Sequence, residues 1–549
     1  MEASNSFKSS LYINFPILFI NFAFPQSIKR AQMILSFQKI LSMKILKLGL
    51  TITLFTFFQS GNLLATNYYV SSVGNDSHNG LSPSTPFRNI QTATNKVQAG
   101  DSVFVVNGNY TGFDHRDKQN GQAGKPIVYI ATGNNVIINV GFYRSNGINI
   151  ENNDYIHIIG FKVKNMLKEG IRAVFANHVK ILNNECDSCF RGVFTGYTDD
   201  IIVENNICKR SHGEHGIYIS NNSDRAVVRF NSCSFNAASG IQFNPDLSSG
   251  LPGFSEDATI THNIIFENKR AAGLNLQGLS RGIVANNLIY NNHQASGITL
   301  FHGDASKGCT DVFVFNNTII VPDDGRWGIH IIDDAERISI LNNVIINLHP
   351  WKGAISLQKN NSIQKDISSD YNYVSNKFCE IDDGCSKTLS FWQSLGYDVH
   401  SLQALTDHTL AFQNFNNKNY QPSDNSPLLD AGSSLVASQS LTDLLGISRP
   451  QGGAFDIGCY EKVTISDLQD PIFEKQSSVS ALIGMASLEN LLASDPSANW
   501  KLYALNGQLL NSDQSNPNKF YLSKGIFILK LLQKGSIMPK TYFIYNLEP

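Results

Sequence analysis

The sequence predicts an all-β protein whose body is a right-handed parallel β-helix, a solenoid with three strands per coil. Three observations carry this. A glycine-led unit recurs through the middle of the chain, at Gly147, Gly170, Gly192, Gly216, Gly240, Gly273, Gly297, Gly328 and Gly353. The eight intervals cover 206 residues, a mean period of about 26, within the range of solenoid repeats. Two apolar columns also fall at fixed offsets from a closing asparagine, and the apolar stretches alternate with period two, which is the spacing of strands.

The columns follow from aligning the coils on Asn184, Asn206, Asn231, Asn263, Asn287, Asn317 and Asn343. Three residues earlier stand Ile181, Val203, Val228, Ile260, Val284, Val314 and Ile340; two residues later stand Cys186, Cys208, Cys233, Ile265, Ile289, Ile319 and Ile345. Strands returning at the same register every turn stack in parallel, each coil about 4.8 Å above the last. Asparagine suits the bend because it tolerates left-handed backbone and its amide can ladder with the coil above.

The chain before the coils has two parts. Residues 1–65 read as a targeting segment: basic Met43-Lys44-Ile45-Leu46-Lys47, apolar Leu48 to Phe58, then Gly61 to Ala65 with a small residue at the cleavage point. Met43 is the expected start. Setting aside this segment, with its six Lys/Arg and one Glu, leaves 37 of 43 basic and 44 of 45 acidic side chains, a net charge of −7. A mildly acidic body has no general attraction for nucleic acid or anionic lipid, so none is expected as a partner. Residues 66–146 are expected to hold the N-terminal cap and first coils, with a short amphipathic helix around Ile90–Val97 covering the open end.

The β-helix is expected over 147–460, its last part less regular and read as C-terminal coils and their cap. A polar linker at 461–480 leads to a last module at 481–549. Cys186, Cys208 and Cys233 share a column with isoleucine and read as buried thiols. Cys379 and Cys385, in a loop of an exported chain, are expected to form a disulfide.

Resemblance adds what periodicity does not. The segment from Tyr68-Tyr69-Val70-Ser71 to Gly100-Asp101-Ser102-Val103 resembles the N-terminal region of bacterial β-helix proteins, some pectate lyases among them. The glycine-led coils are similar to the repeats of secreted polysaccharide-acting enzymes. The tail, Trp500-Lys501-Leu502-Tyr503-Ala504-Leu505-Asn506-Gly507-Gln508 and then Leu522-Ser523-Lys524-Gly525-Ile526-Phe527-Ile528-Leu529-Lys530, resembles the C-terminal sorting domain of type IX secretion in Bacteroidetes. The resemblance implies a small β-sandwich-like last module, a secreted or cell-surface protein, the type IX machinery as a partner and a polysaccharide as substrate; a monomer is expected. The acidic calcium clusters of pectate lyases, the paired-Asp motifs of polygalacturonases and the Asp-Pro-His-Asp motif of alginate epimerases have no clear equivalent. Asn244-Pro245-Asp246 is only superficially similar to the last.

Strand alternation places the candidate site. In His215-Gly216-Ile217-Tyr218-Ile219-Ser220 the isoleucines point inward, so Tyr218 and Ser220 point outward. The same phase gives an outer column of Arg172, Phe194, Tyr218, Gln242, Asn275, Thr299, His330 and Ser356. Amides, aromatics, His and Arg are the inventory that hydrogen-bonds to and stacks on sugars. The bland alternative is that the amides form stacking ladders.

The densest constellation predicts the catalytic group: Arg191, Glu214, His215 and Tyr218, with Arg172 below. Gln242, Asn244, Asp246, Asn275, His302 and His330 are the candidate substrate-binding residues, walled by the longer loops around 246–256 and 302–308. In β-elimination from a uronate polymer, His215 or Tyr218 would be base or acid, and Arg172 or Arg191 would neutralise the carboxylate. Hydrolysis would need two carboxyl groups, for which Glu214 and Asp246 are available. A non-catalytic glycan-binding surface is the alternative from another class. Calcium is the one cofactor left open, without ligand-spacing support at Asp199-Asp200 or Asp333-Asp334.

Overall fold

The structure is a computed structural model that describes residues 65–140, 144–250, 252–357, 366–380, 385–437 and 442–463, together with the backbone of five C-terminal strands. The targeting segment lies outside the described residues except for Ala65, and most of the 461–480 linker does too.

The body is a right-handed parallel β-helix of about 11 turns. Three parallel sheets form its faces, here called A, B and C, with 12, 12 and 11 strands. One coil runs Lys180–Leu182 on face A, Glu185–Asp187 on face B, Arg191–Gly196 on face C, and returns to face A at Ile202–Glu204.

The expected columns are in register. Ile181, Val203, Val228, Ile260, Val284, Val314 and Ile340 pair successively along face A. Cys186, Cys208, Cys233, Ile265, Ile289, Ile319 and Ile345 do the same along face B. All are buried in one continuous core that also holds Phe113, Tyr129, Phe243 and Trp392.

Each A-to-B bend is closed by the buried asparagine. Asn263 accepts at Oδ1 from the backbone and side-chain N–H of Asn231 (both 3.0 Å), and its Nδ2 donates to Asn287 Oδ1 (3.0 Å) and to the Val228 carbonyl (2.9 Å). The same chain of amides runs from Asn184 to Asn372. A second, shorter ladder, Asn236–Asn268–Asn292, closes the B-to-C bend. The residue before each ladder asparagine has positive φ, which is why Asn183, Asn205, Asn286, Asn316 and Asn342 recur there.

Both ends are covered. Ile90–Thr94 is helical, and Ile90, Ala93 and Val97 seal the first coil. At the other end the helix Leu389–Ser394 places Leu389 and Trp392 against the core. Cys379 and Cys385 are disulfide-bonded, as expected.

The C-terminal part differs from a run of coils. The parallel ladders stop at Leu402–Gln403, and residues 404–437 and 442–463 fold back as a strap over the outside of the solenoid. Phe412, Tyr420, Leu428, Leu444 and Ile457 of the strap pack on Leu288, Ile320, Val344, Ile346 and Tyr373 of face B. Val436 and Phe455 pack on Ala285 and Phe315 of face A. Arg449 is its pin. It donates to Glu461 Oε2 (2.7 Å), to the Asp456 and Gly458 carbonyls (3.1 and 2.8 Å) and to Asn286 Oδ1 (3.3 Å). Asn316 and Asn342, the turn residues of the next coils, donate to the Asp456, Gly458 and Ser433 carbonyls. The C-terminal module is β, with five strands between Val479 and Asn546 in one mixed sheet.

Candidate functional site

Face C carries the candidate site. Its outer column, read in register, is Asp114, Asn149, Arg172, Phe194, Tyr218, Gln242, Asn275, Thr299, His330, Ser356 and Cys379. The strand pleat turns every second residue outward, and the fixed register keeps these side chains in line, about 4.8 Å apart.

Four of the expected catalytic residues meet. Arg191 donates through Nε to Glu214 Oε2 and through Nη1 to Glu169 Oε1, both at 2.7 Å. Burial works against its charge, but the bonds to Glu214 and Glu169 outweigh that and raise its pKa. Its guanidinium lies over the rings of Phe190, Phe194 and Tyr218 at 5.1, 5.1 and 5.5 Å. The His215 ring meets Tyr218 edge-on at 5.0 Å, and His215 Nε2 is 3.7 Å from Glu214 Oε2.

Proton positions follow from the partners. His215 Nδ1 accepts the Ser239 backbone N–H at 3.1 Å, so in the neutral ring the proton sits on Nε2. Burial pushes His215 down to about 4, against the pull of Glu214. His215 is therefore a neutral donor at Nε2, and its one lone pair is taken; in this arrangement it does not act as a base. Burial raises the pKa of Tyr218, which keeps the phenol protonated. Arg191 Nη2 has no protein acceptor among the described residues and forms the cationic edge of the cluster.

The remaining expected residues separate into groups. Arg172 does not join the cluster: it lies two coils below Tyr218, beyond Phe194, and its Nη1 is engaged by Asn149 Oδ1 and Glu151 Oε2, both at 2.8 Å. Gln242 and Asn275 form an amide pair at 2.7 Å on the coils above Tyr218. Asn244 donates to the Tyr218 hydroxyl (3.2 Å) and to Asp304 Oδ2 (3.3 Å), while its Oδ1 is buried and has no partner among the described residues. Asp246 caps the short 3-10 turn Leu247–Ser249 by accepting the Ser248 N–H at 2.8 Å. His302 pairs with Asp334 at 2.9 Å on the far wall. His330 stacks on Trp327 at 3.9 Å, and burial pushes it down to about 3.

The two long loops are joined to each other beside face C. Leu247 N–H donates to the Asp304 carbonyl (2.8 Å) and Ser306 N–H to the Gly253 carbonyl (2.6 Å), tying the two loops together. The Tyr197 hydroxyl donates to the Ser249 carbonyl (2.6 Å) and anchors them to the sheet. Under these loops Ser220 and Asn244 point outward and yet are buried.

Sequence reasoning missed Glu169 and Ser239. Both occupy the position preceding the glycine in their coils, the column of Arg191 and His215, and that shared offset was the signal.

A family model described as periplasmic copper-binding protein (NosD) matches residues 95–296. No curated protein matches the chain at a significant level. Solved structures of similar shape include pectate lyase Pel9A (19% identity, 73% of this chain and 98% of that chain, TM-score 0.46). Others are a rhamnogalacturonan lyase (17%, 56% and 87%, 0.41) and a complex of XylC with xylose (9%, 72% and 98%, 0.44).

The donors present do not fit copper. Among the described residues no three His, Cys, Asp or Glu side chains gather into a metal-holding group. The Cys186–Cys208–Cys233 column is sealed in the core, where hydrogen bonding to Cys208 and burial push the Cys186 thiol well up, away from the thiolate a metal needs. Asp199 and Asp200, left open for calcium, are bound by Arg225 at 3.0 and 2.7 Å.

Proposed function

We propose that this chain is an exported carbohydrate-active protein that binds an acidic polysaccharide along face C and cleaves it by β-elimination. The observation that carries the reading is the Arg191 cluster: a guanidinium fixed by two carboxylates and lying over the Tyr218 ring, with His215 Nε2 3.7 Å from one of those carboxylates, Glu214. These donors suit a uronate carboxylate, whose neutralisation acidifies the adjacent C–H.

Glu214 Oε1, the carboxylate oxygen turned away from the Arg191 bond, receives the proton from the carbon α to the carboxylate. The C–H electron pair forms the new C=C bond as the C–O bond to the leaving sugar breaks. The Tyr218 hydroxyl supplies the proton to that departing oxygen. The hydrolase reading is weaker, because Asp246 is committed to its turn, which leaves Glu214 without the second carboxyl group that reading pairs with it. The reading as a non-catalytic glycan-binding surface is favoured by one fact: two carboxylates, Glu169 and Glu214, already outnumber the single cation of Arg191. Export is read from the 43–65 segment, and the tail at 500–530 makes the type IX machinery the proposed partner, with the mature protein secreted or surface-attached.

The test is incubation with a panel of uronate polymers, following the absorbance of the unsaturated product. Tyr218→Phe should lower the rate by about 10²-fold or more, the range for loss of a general acid; His215→Ala should also lower it. New reducing ends without that absorbance would show hydrolysis, and retention on a glycan column without product would show binding alone.

A further inference from the structure

A second cleft lies outside face C, on the B-to-C bend, with a volume of about 670 Å³. That is within the range of small-ligand sites. Ser211, Phe235, Lys269, Arg270, Gln294 and Asp324 line it, with His293 at its edge. The residues come from five successive coils, so the cleft spans about 19 Å along the solenoid, the length of an oligosaccharide rather than a single sugar.

Its chemistry is distinctive. Lys269 and Arg270 are adjacent and exposed, and neither forms an ion pair among the described residues; Arg270 uses Nε on the Ala237 carbonyl (2.8 Å). Several other exposed arginines are held by carboxylates, as Arg225, Arg281 and Arg337 are. Two cations without carboxylate partners on a body of net charge −7 mark a local preference for an anion. Phe235 is 50% exposed beside them and offers an apolar face to a sugar ring. The other charges nearby are accounted for: His293 sits between Glu267 (2.9 Å) and Asp324 (3.0 Å), and Glu267 also holds Lys418 (2.8 Å).

We infer that this cleft is a second binding site, for a carboxylate-bearing oligosaccharide, with Lys269 and Arg270 holding the anion and Phe235 stacking on the ring. It adjoins the Arg191 cluster through one turn, since Ser211 Oγ donates to the Glu214 carbonyl at 2.5 Å. The inference rests on the proposed function only for the choice of ligand, and the cleft would bind whether or not face C catalyses.

The experiment is calorimetric titration of the full chain carrying Tyr218→Phe, which suppresses turnover, with tetragalacturonate and with the neutral cellotetraose. Two sites per chain are expected for the uronate. In the added Lys269→Ala/Arg270→Gln variant one of them should weaken at least about tenfold, and Phe235→Ala should weaken the same one. Cellotetraose should show no response to the charge substitutions. These side chains are exposed, and circular dichroism with an unchanged melting midpoint confirms that the variants fold. Unchanged uronate binding in the double variant, or equal loss for the neutral sugar, overturns the inference. Absence of lyase product from the chain with Tyr218 restored, while the Lys269/Arg270-dependent site still binds, would instead fail only the reading of face C.

Discussion

Replacing Asn263 by alanine interrupts the asparagine ladder at its centre. Asn263 is fully buried and takes part in four ladder bonds through its side chain, two as acceptor and two as donor. Asn231 Nδ2 retains the Val203 carbonyl (2.8 Å), and Asn287 Oδ1 retains the Asn263 backbone N–H (3.0 Å). The Asn231 backbone N–H keeps no such substitute and is itself buried. One orphaned donor costs about 1–3 kcal/mol, and each partly compensated bond about 0.5–1 kcal/mol, so the substitution should destabilise the β-helix by about 3–5 kcal/mol. Urea unfolding followed by circular dichroism measures it. The control is Asn205→Gly, at an exposed left-handed turn position whose side chain makes only a 3.3 Å contact with Glu204; it should change stability by less than about 0.5 kcal/mol. A loss below about 1 kcal/mol for Asn263→Ala, or equal effects of the two, would refute the ladder as a source of stability.

Acid should weaken the fold before it weakens the carboxylate pairs. Burial lowers His115, His215 and His262 to about 4 and His157 and His330 to about 3. The unfolded chain protonates these side chains below about pH 6.5 while the native state holds them neutral, so stability present at neutral pH falls as pH drops from 6.5 towards 4. Each contributes up to about 1.4 kcal/mol per pH unit; a flat urea midpoint between pH 7 and 4.5 would contradict this. Arg449→Met leaves Glu461 buried without its cation and should cost about 3–5 kcal/mol, with Arg449→Met/Glu461→Met recovering much of it; thermal melts of the three proteins decide. Glu169→Gln should slow turnover of a uronate polymer by about tenfold, an order of magnitude for one charge-assisted bond, as Arg191 loses its buried anchor; an unchanged rate would place Glu169 outside the site.

The columns of the solenoid were legible because a parallel coil gives each position the same neighbours every turn. Val203, Val228 and Val284 share one environment, and so do Cys208 and Ile265, which is why a thiol and an isoleucine could be equated. The outer column from Arg172 to Ser356 was legible for the same reason. The side chains' engagements were not. Arg172 reads as a free cation until Glu151 is seen beside it, and Asp246 reads as a catalytic carboxylate until it is seen capping Leu247–Ser249. Pairing between coils joins residues 20 to 30 positions apart with no repeating identity, so the shared offset of Glu169 and Arg191 before their glycines gave their column but not the bonds that join them to Glu214. The strap was hidden for a different reason. Its apolar residues follow no coil spacing, and its docking partners Asn316 and Asn342 look like every other turn asparagine.

The pinned return segment sets an order of assembly. Its landing surface is built from coils at Ala285 to Tyr373, so those coils must be laid down before residues 412–461 can settle on them. During synthesis the apolar exterior of those turns stays open until the chain has emerged past Glu461. A chain shortened near residue 404 would carry that bare flank permanently, and its fate would be self-association.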